Sequence, residues 1–423
     1  MSSSNHSKTH KKKRIKNNIT LKNKTPKNII ELSNSIKSTF EKSGVNPKSS
    51  FPSIKGEGLI LNMSSYSPSI NKELISLKSI SREKYIDCNI EKAFELKEPL
   101  KIGIPINSGK DYECYEYNDK KAIEFLLKNL SANKHINPAI IIPPIQSDSN
   151  CWFNTFFATF FISDKGRKFF HFFRSLMIIG KQKNGNNIPK DLADGFALLN
   201  YSIDMCLTGN KYSYILDTNS IIHKIYQSIP REYKLKKPYI VDIKKAGNPV
   251  LYYISLINYL DNISLSFQDK KNLKKPNIKL EFIRGENKEN KNRTQDILNT
   301  YITSNDKNVG NKPDLFIIEI LDNDADKILR EEELILGNIK YKLDSAVIRD
   351  ISKNHFSATL TCEKKEMAYD GMSFHRLINF KWKKKLNKNY NWIFEGSINN
   401  NGNPLKWNFI KCYQMLFYYR ITK

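Results

Sequence analysis

A chain of 423 residues with 39% hydrophobic content, 23 Phe and 21 Tyr has ample material for one large or two modest cores, which excludes a wholly disordered protein. Its 69 Lys and Arg against 43 Asp and Glu leave a formal charge of +26, a balance that favours polyanionic partners over cationic ones. The six cysteines (Cys88, Cys114, Cys151, Cys206, Cys362 and Cys412) contain no C-x-x-C pair, which argues against a zinc ribbon, and their scatter suits a reducing, intracellular compartment of cytoplasm or nucleus. No secretory signal is visible. The longest apolar run, Phe169 to Gly180, is broken by His171 and Arg174 and is too short for a bilayer, so no membrane partner is expected.

In chain order, residues 1–55 read as a disordered basic tail. Within the first 30 of these, Lys8, Lys11, Lys12, Lys13, Arg14, Lys16, Lys22, Lys24 and Lys27 meet no acid, and apolar residues are few. The run Lys11-Lys12-Lys13-Arg14 reads either as a nuclear signal or nucleic-acid contact, or as a solvated tail. Ile29, Ile30, Leu32 and Ile36 have helical spacing within Asn28 to Lys42. Residues 56–137 form an extension of unassigned role, with a strand signal at Gly58 to Leu61 and a helix signal at Ala122 to Leu130. Pro138, Pro143 and Pro144 then impose an extended entry to residue 151.

After Cys151, Phe153, Phe156, Phe157, Phe160 and Phe161 fall on one helical face, with Asp148 or Ser149 as a cap. Helical patterns continue over Arg167 to Ile179, Leu192 to Met205, Ile221 to Ile229 and Val250 to Leu260. From about residue 263 the signals turn to strands. Ile263 to Phe267 alternates, and Ile278 to Ile283 and Pro313 to Ile320 follow. Residues 268–312, rich in Lys, Asn and Glu, read as an insertion. A helical half followed by an antiparallel half is an α+β layout.

Chemistry concentrates at four positions. A cysteine at a helix N-terminus is favoured as a thiolate, the working nucleophile of thiol hydrolases. Far downstream, Tyr341 to Ile348 and Asn354 to Leu360 read as strands with His355 at the start of the second, and Asp370 closes a third at Met367 to Tyr369. Cys, His and Asp in that order can serve as nucleophile, proton shuttle and orienting acid. Gln146 stands five residues before Cys151, where a side-chain amide can donate to an oxyanion. His171, His223 and His375 are rival bases better read as structural, and Asp350 is a rival acid. Lys381-Trp382-Lys383-Lys384-Lys385 mixes base and aromatic as single-strand nucleic-acid surfaces do, though a solvated hairpin tip is the simpler reading.

These segments resemble the ubiquitin-specific proteases, a papain-like family of cysteine peptidases. Gln146 to Thr155 is similar to their cysteine box, Asn248 to Leu260 to their internal helix, and Pro313 to Ile320 to the strand before their histidine region. Tyr341 to Asp370 is similar to their histidine box, and Tyr413 to Arg420 to their closing strand. The likeness spans roughly residues 140–423 and places a catalytic domain at 138–423. It implies a papain-like fold, a Cys151–His355–Asp370 site with Gln146 at the oxyanion, no cofactor, and ubiquitin or ubiquitin-like conjugates as partners, while the cysteine spacing predicts no metal. Departures are Asp148-Ser149-Asn150 before the cysteine, Asn354 before the histidine, Gly371 in place of a second Asp, and Asn248-Pro249 in place of Gln-Asp. The family's zinc ribbon has no counterpart in the cysteine spacing. Ubiquitin's C-terminal tail is basic, so a groove for it needs carboxylates, with Glu319, Asp322, Asp324 and Asp326 as candidates. The alternative is an inactive relative serving as a basic structural or nucleic-acid-associated protein, virion proteins included, with the tail as the nucleic-acid contact. Lys, Asn and Ile enrichment fits AT-rich coding, as in large DNA viruses.

Overall fold

This computed structural model describes residues 59–60, 88–107, 110–132, 136–181, 186–214, 217–259, 280–285, 293–304 and 313–421. The basic tail, the helix expected at Asn28 to Lys42 and the strand expected at Ile263 to Phe267 lie outside them.

The layout is mixed helix and sheet. After a two-residue strand β1 (Leu59–Ile60) come α1 (Ile90–Phe94), the hairpin β2 (Lys101–Ile106) and β3 (Asp111–Glu116), and α2 (Lys120–Ala132). The helical half follows: α3 (Cys151–Phe157), α4 (Asp164–Phe169), α5 (His171–Ile179), α6 (Lys190–Thr208), α7 (Thr218–Ser228), α8 (Arg231–Lys236) and α9 (Pro249–Tyr259). Then come β4 (Leu280–Gly285), α10 (Thr294–Ser304), β5 (Leu315–Ile320), β6 (Glu333–Leu336), β7 (Ile339–Arg349), β8 (Phe356–Cys362), β9 (Lys365–Tyr369), β10 (Leu377–Asn379), β11 (Trp392–Ile393) and β12 (Gln414–Ile421).

Eight strands form one sheet in the order β10-β9-β8-β7-β12-β5-β4, with β6 paired to β7. All these pairs are antiparallel except β4 with β5, which is parallel. The central strands carry apolar residues on both faces because both faces are covered. Leu315, Ile317, Met415, Phe417 and Tyr419 face the helices, while Phe316, Ile318, Ile320, Leu416 and Tyr418 face a second core containing Trp382, Trp392, Trp407 and Phe409. The phenylalanines of α3 and the helical turn after it stack on one another, on Tyr253 of α9 and on Phe417 of β12, so the cysteine helix is wedged between the other helices and the sheet.

Three expectations change. Within the expected insertion, the strand read at Ile278 to Ile283 is present as β4, but Thr294–Ser304 is a helix that was not expected, and Ile283, Ile297 and Leu298 are buried in the second core. The polar residues around them masked an apolar face. The expected boundary at 137/138 separates no cores, because Ile90, Phe94, Leu126, Leu130 and Ile136 share the helical core with α5 and α6. Finally, Cys88 and Cys114 form a disulfide with Cα atoms 6.0 Å apart across 26 residues of chain. Sequence spacing was the wrong guide here, since the β2–β3 hairpin folds distant positions together, and the cysteine scatter no longer argues for a reducing compartment.

Among the described residues, no helix is long and apolar enough to cross a membrane.

Candidate active site

The approach to Cys151 is an extended segment tied to both halves. On the helical side, the Ile142 N–H donates to the Cys206 carbonyl of α6 at 3.1 Å. The C-cap of that helix, Gly209, has φ +64, and a Cβ there would lie 2.2 Å from the Ile140 carbonyl, so glycine lets α6 end against this segment. On the sheet side, Arg376 donates to the Pro143 carbonyl and the Tyr369 hydroxyl to the Pro144 carbonyl, each at 2.7 Å. The Gln146 N–H donates to the Gly371 carbonyl at 3.0 Å. A Cβ on Gly371 would meet that Gln146 nitrogen at 3.0 Å and the Tyr369 hydroxyl at 2.9 Å. The residue after Asp370 is therefore small because the cysteine segment passes directly over it.

Cys151 is the first residue of α3 and is partly exposed, with buried neighbours Asn150 and Trp152. Asp148 and Ser149 do not cap this helix. The residue before it is Asn150, whose side chain bonds Thr218 at 3.0 Å and Asn154 at 3.2 Å instead of the helix N–H groups. Thr218 in turn donates to Asn154 at 2.6 Å, and Ser147 and Asn219 bond the Asp217 and Asp148 carboxylates. This polar network staples the cysteine loop to the N-terminus of α7. Burial pushes Asp217 up to about 6, against hydrogen bonds from Asn219 and Ser147 that pull it down.

His355 leads into β8 and is buried. Its Nε2 lies 2.6 Å from Asp370 Oδ1, and the Cys151 thiol is close enough on its other side to favour the charged ring. With Nε2 given to Asp370, Nδ1 is the nitrogen left for the thiol. Burial opposes charge on this imidazole, but Asp370 and Cys151 outweigh it and hold His355 up at about 10. Trp407 closes one side edge-on, its ring centroid 5.9 Å from that of His355.

Asp370 follows β9 and is fully buried. Oδ1 accepts from His355 and from the Met372 N–H at 3.2 Å, and Oδ2 accepts from the Ser397 hydroxyl. Gln146 lies against Gly371, next to Asp370, with its side-chain nitrogen donating to the Asp148 carbonyl at 3.1 Å and its Oε1 buried without a partner among the described residues.

The rival groups sit elsewhere. His223 is paired with Asp242 at 3.0 Å. His375 is half-buried, and burial pushes it down to about 4. His171 heads α5. Asp350 is not an orienting acid: its carboxylate accepts the N–H groups of Ser352, Asn354 and His355 at 2.7–2.8 Å and so shapes the turn that delivers His355. Sequence reasoning set Asp350 aside as a rival acid without finding its role in the turn, and it missed Ser397 and Trp407, which carry no local signal.

Two candidate binding surfaces look different in the structure, although Asp326 remains exposed. Trp382 is fully buried, with its indole N–H donating to the Leu360 carbonyl, so it cannot stack on a base. The acids expected to meet a basic tail are largely used within the chain. Glu319 bonds Arg284 and Tyr413, Asp322 bonds Arg349 and Lys353, and Asp324 pairs with Lys327. Among the described residues, no group of three or more His, Cys, Asp or Glu side chains is arranged to hold a metal ion.

No protein-family model and no curated protein matches the sequence. Among solved structures, the chain is similar to the SAGA DUB module Ubp8/Sgf11/Sus1/Sgf73 bound to ubiquitin aldehyde, at 9% identity and a TM-score of 0.40 over 67% of this chain and 70% of the other. A variant of that module bound to monoubiquitin is similar at 8% identity and a TM-score of 0.39, over 93% and 96%. A yeast SAGA module is similar at 11% identity and a TM-score of 0.32, over 67% and 69%. Overlaps of this depth leave the weight on the side chains.

Proposed function

We propose that the chain is a papain-like, thiol-dependent hydrolase that cleaves ubiquitin or a ubiquitin-like modifier from conjugates. One observation carries the chemistry: a buried imidazole that bridges a partly exposed cysteine on one helix end and a fully buried carboxylate on the sheet. The modifier as substrate rests on the ordered resemblance of the five sequence segments.

In this reading the Cys151 sulfur attacks the carbonyl carbon of the modifier's C-terminal residue. A C–S bond forms as the carbonyl π pair moves to oxygen, and donors at the helix start together with the Gln146 amide receive the oxyanion. Collapse breaks the C–N bond, and the leaving amine takes its proton from His355. Water then attacks the thioester, with His355 accepting its proton. The C–S bond then breaks, the modifier leaves as an acid that ionises in solution, and Cys151 is restored as a thiolate beside the protonated His355. Gln146 needs to leave the Asp148 carbonyl to reach an oxyanion, a rotation that substrate binding can drive.

The test is labelling by ubiquitin carrying a C-terminal electrophile. The expected result is one adduct, on the Cys151 peptide, that is lost in Cys151→Ala. If the full-length protein reacts through Cys151 with iodoacetamide but not with any ubiquitin-like electrophile, the modifier assignment is wrong. If it does neither and binds nucleic acid through its folded part, the basic binding protein is the better reading.

A further inference from the structure

The acid of the site has a second buried partner, and it comes from a different part of the chain. Asp370 offers two carboxylate oxygens in a place closed to water. Oδ1 is committed to His355 and the Met372 N–H, while Oδ2 accepts from Ser397. Ser397 is buried, 27 residues further on, in the turn after β11.

That turn is itself held against the Asp370 segment. The Phe374 N–H donates to the Glu395 carbonyl at 3.1 Å. Gly396, at φ +89, brings its backbone so near the Phe374 ring that a Cβ would lie 2.9 Å from it. The Ser397 N–H donates to the Phe394 carbonyl at 3.2 Å, and its carbonyl accepts from Leu405 at 3.0 Å. The hydroxyl therefore arrives on a backbone fixed on both sides, with little freedom except rotation of χ1. A serine hydroxyl has one proton to give, and an ionised carboxylate can only accept. The direction of this bond is thereby set.

We infer that Ser397 is a positioning residue, whose hydroxyl fixes the plane of the Asp370 carboxylate so that Oδ1 stays aimed at His355 Nε2. A carboxylate held at one oxygen only can swing about χ2 in its buried site. Held at both, it keeps the imidazole oriented toward Cys151 and stabilises its charged form. Ser397 touches neither the thiol nor the substrate in this account and acts only through Asp370. The inference rests on the reading of Cys151 and His355 as a working couple, and its test is chosen to separate the two.

The test is the rate of iodoacetamide alkylation at the Cys151 peptide, followed by mass from pH 4 to 10.5 on the full-length protein. This small neutral probe needs no ubiquitin recognition. A thiolate–imidazolium couple gives a plateau of reactivity across neutral pH, with a second rise once the imidazolium loses its proton. The wild type should show the plateau and His355→Ala should lack it. Ser397→Ala should lower the plateau about tenfold and move reactivity into the high-pH step. Because a cavity at 397 could loosen the fold, Ser397→Thr and Ser397→Val form a second comparison of equal shape. Thr should retain the plateau within about twofold and Val should not. A wild-type plateau that persists unchanged in S397A, or equal profiles for S397T and S397V, overturns the role of Ser397 alone. A wild type with no plateau overturns the Cys151–His355 couple and the inference with it.

Discussion

At the scale of single residues, the oxyanion donor separates catalysis from nucleophile activation. Gln146 contacts neither His355 nor Asp370 through its side chain; its amide rests on the Asp148 carbonyl. Gln146→Ala should therefore leave the Cys151 alkylation profile within about twofold of wild type. Turnover of a ubiquitin-derived substrate should fall by roughly 10²–10³, the usual cost of losing one oxyanion donor. Equal loss in both assays would mean that Gln146 shapes the cysteine loop and does not serve the oxyanion. The residues that carry chemistry were legible because their types are rare in their settings: a cysteine opening an aromatic helix, a histidine opening a strand, an acid closing one. The residues that support them were not. Ser397 and Trp407 reach the site through a tertiary fold of the chain, and serine in a turn or tryptophan in a core is too common to mark a site. Asp350 was a rival for the orienting acid whose real task was not read, because a carboxylate beside a histidine in sequence can as easily bind the backbone N–H groups of its own turn.

At the scale of elements, the helical half meets the sheet through two acids around the start of α4, partly exposed Asp164 and buried Asp344. Asp164 accepts the N–H groups of Glu363 and Lys364 in the β8–β9 turn, and Arg167 reaches Glu363 at 2.7 Å. Beside them, Asp344 of β7 accepts the Lys165 N–H at 3.0 Å. Burial pushes Asp344 up to about 6, and the nearby Asp164 adds to the rise. A carboxyl raised above its unfolded value contributes stability that is full below about pH 4 and is lost as pH climbs through 6. Asp344→Asn stays neutral and still offers an acceptor to Lys165. It should match wild type near pH 4 and exceed it at pH 7.5 by on the order of 2–3 kcal/mol in urea unfolding. A difference that does not vary with pH would mean that Asp344 does not titrate in this range. Elements with strong patterning were read well from sequence, notably α6, α9 and β5, while β12 was reached only through the family resemblance. Those set among polar residues, β4 and α10, were partly lost in an expected insertion, because a short buried face is hidden when Lys, Asn and Glu fill the intervals.

At the scale of the molecule, what sequence composition divides the structure joins. The change near Pro138 from an unassigned extension to an aromatic, motif-bearing region suggested a catalytic unit beginning there. Yet Ile90 and Phe94 of α1, Ile102 of β2, and Ala122, Phe125, Leu126 and Leu130 of α2 are buried in the core that also holds Phe153, Phe173 and Tyr201. Phe94 packs on Tyr201 of α6, with ring centroids 6.3 Å apart. Burying a large apolar side chain is worth about 1.5–3 kcal/mol, so exposing several at once exceeds the few kcal/mol by which most domains are stable. The Cys88–Cys114 bond adds about 3 kcal/mol by the loop-entropy argument where it forms, and it closes within the same segment. A chain beginning at residue 138 should therefore lack a cooperative thermal transition and should lose the alkylation plateau at Cys151, although every residue of the candidate site is retained. A chain beginning at residue 50, without the basic tail, should keep both. It should also lose much of any low-salt affinity for DNA or RNA that the full chain has, since electrostatic binding of that kind falls steeply with salt. Cooperative melting and wild-type labelling in the 138–423 chain would mean that residues 88–137 are an attached unit after all, and that the shared core contributes far less than its buried residues imply.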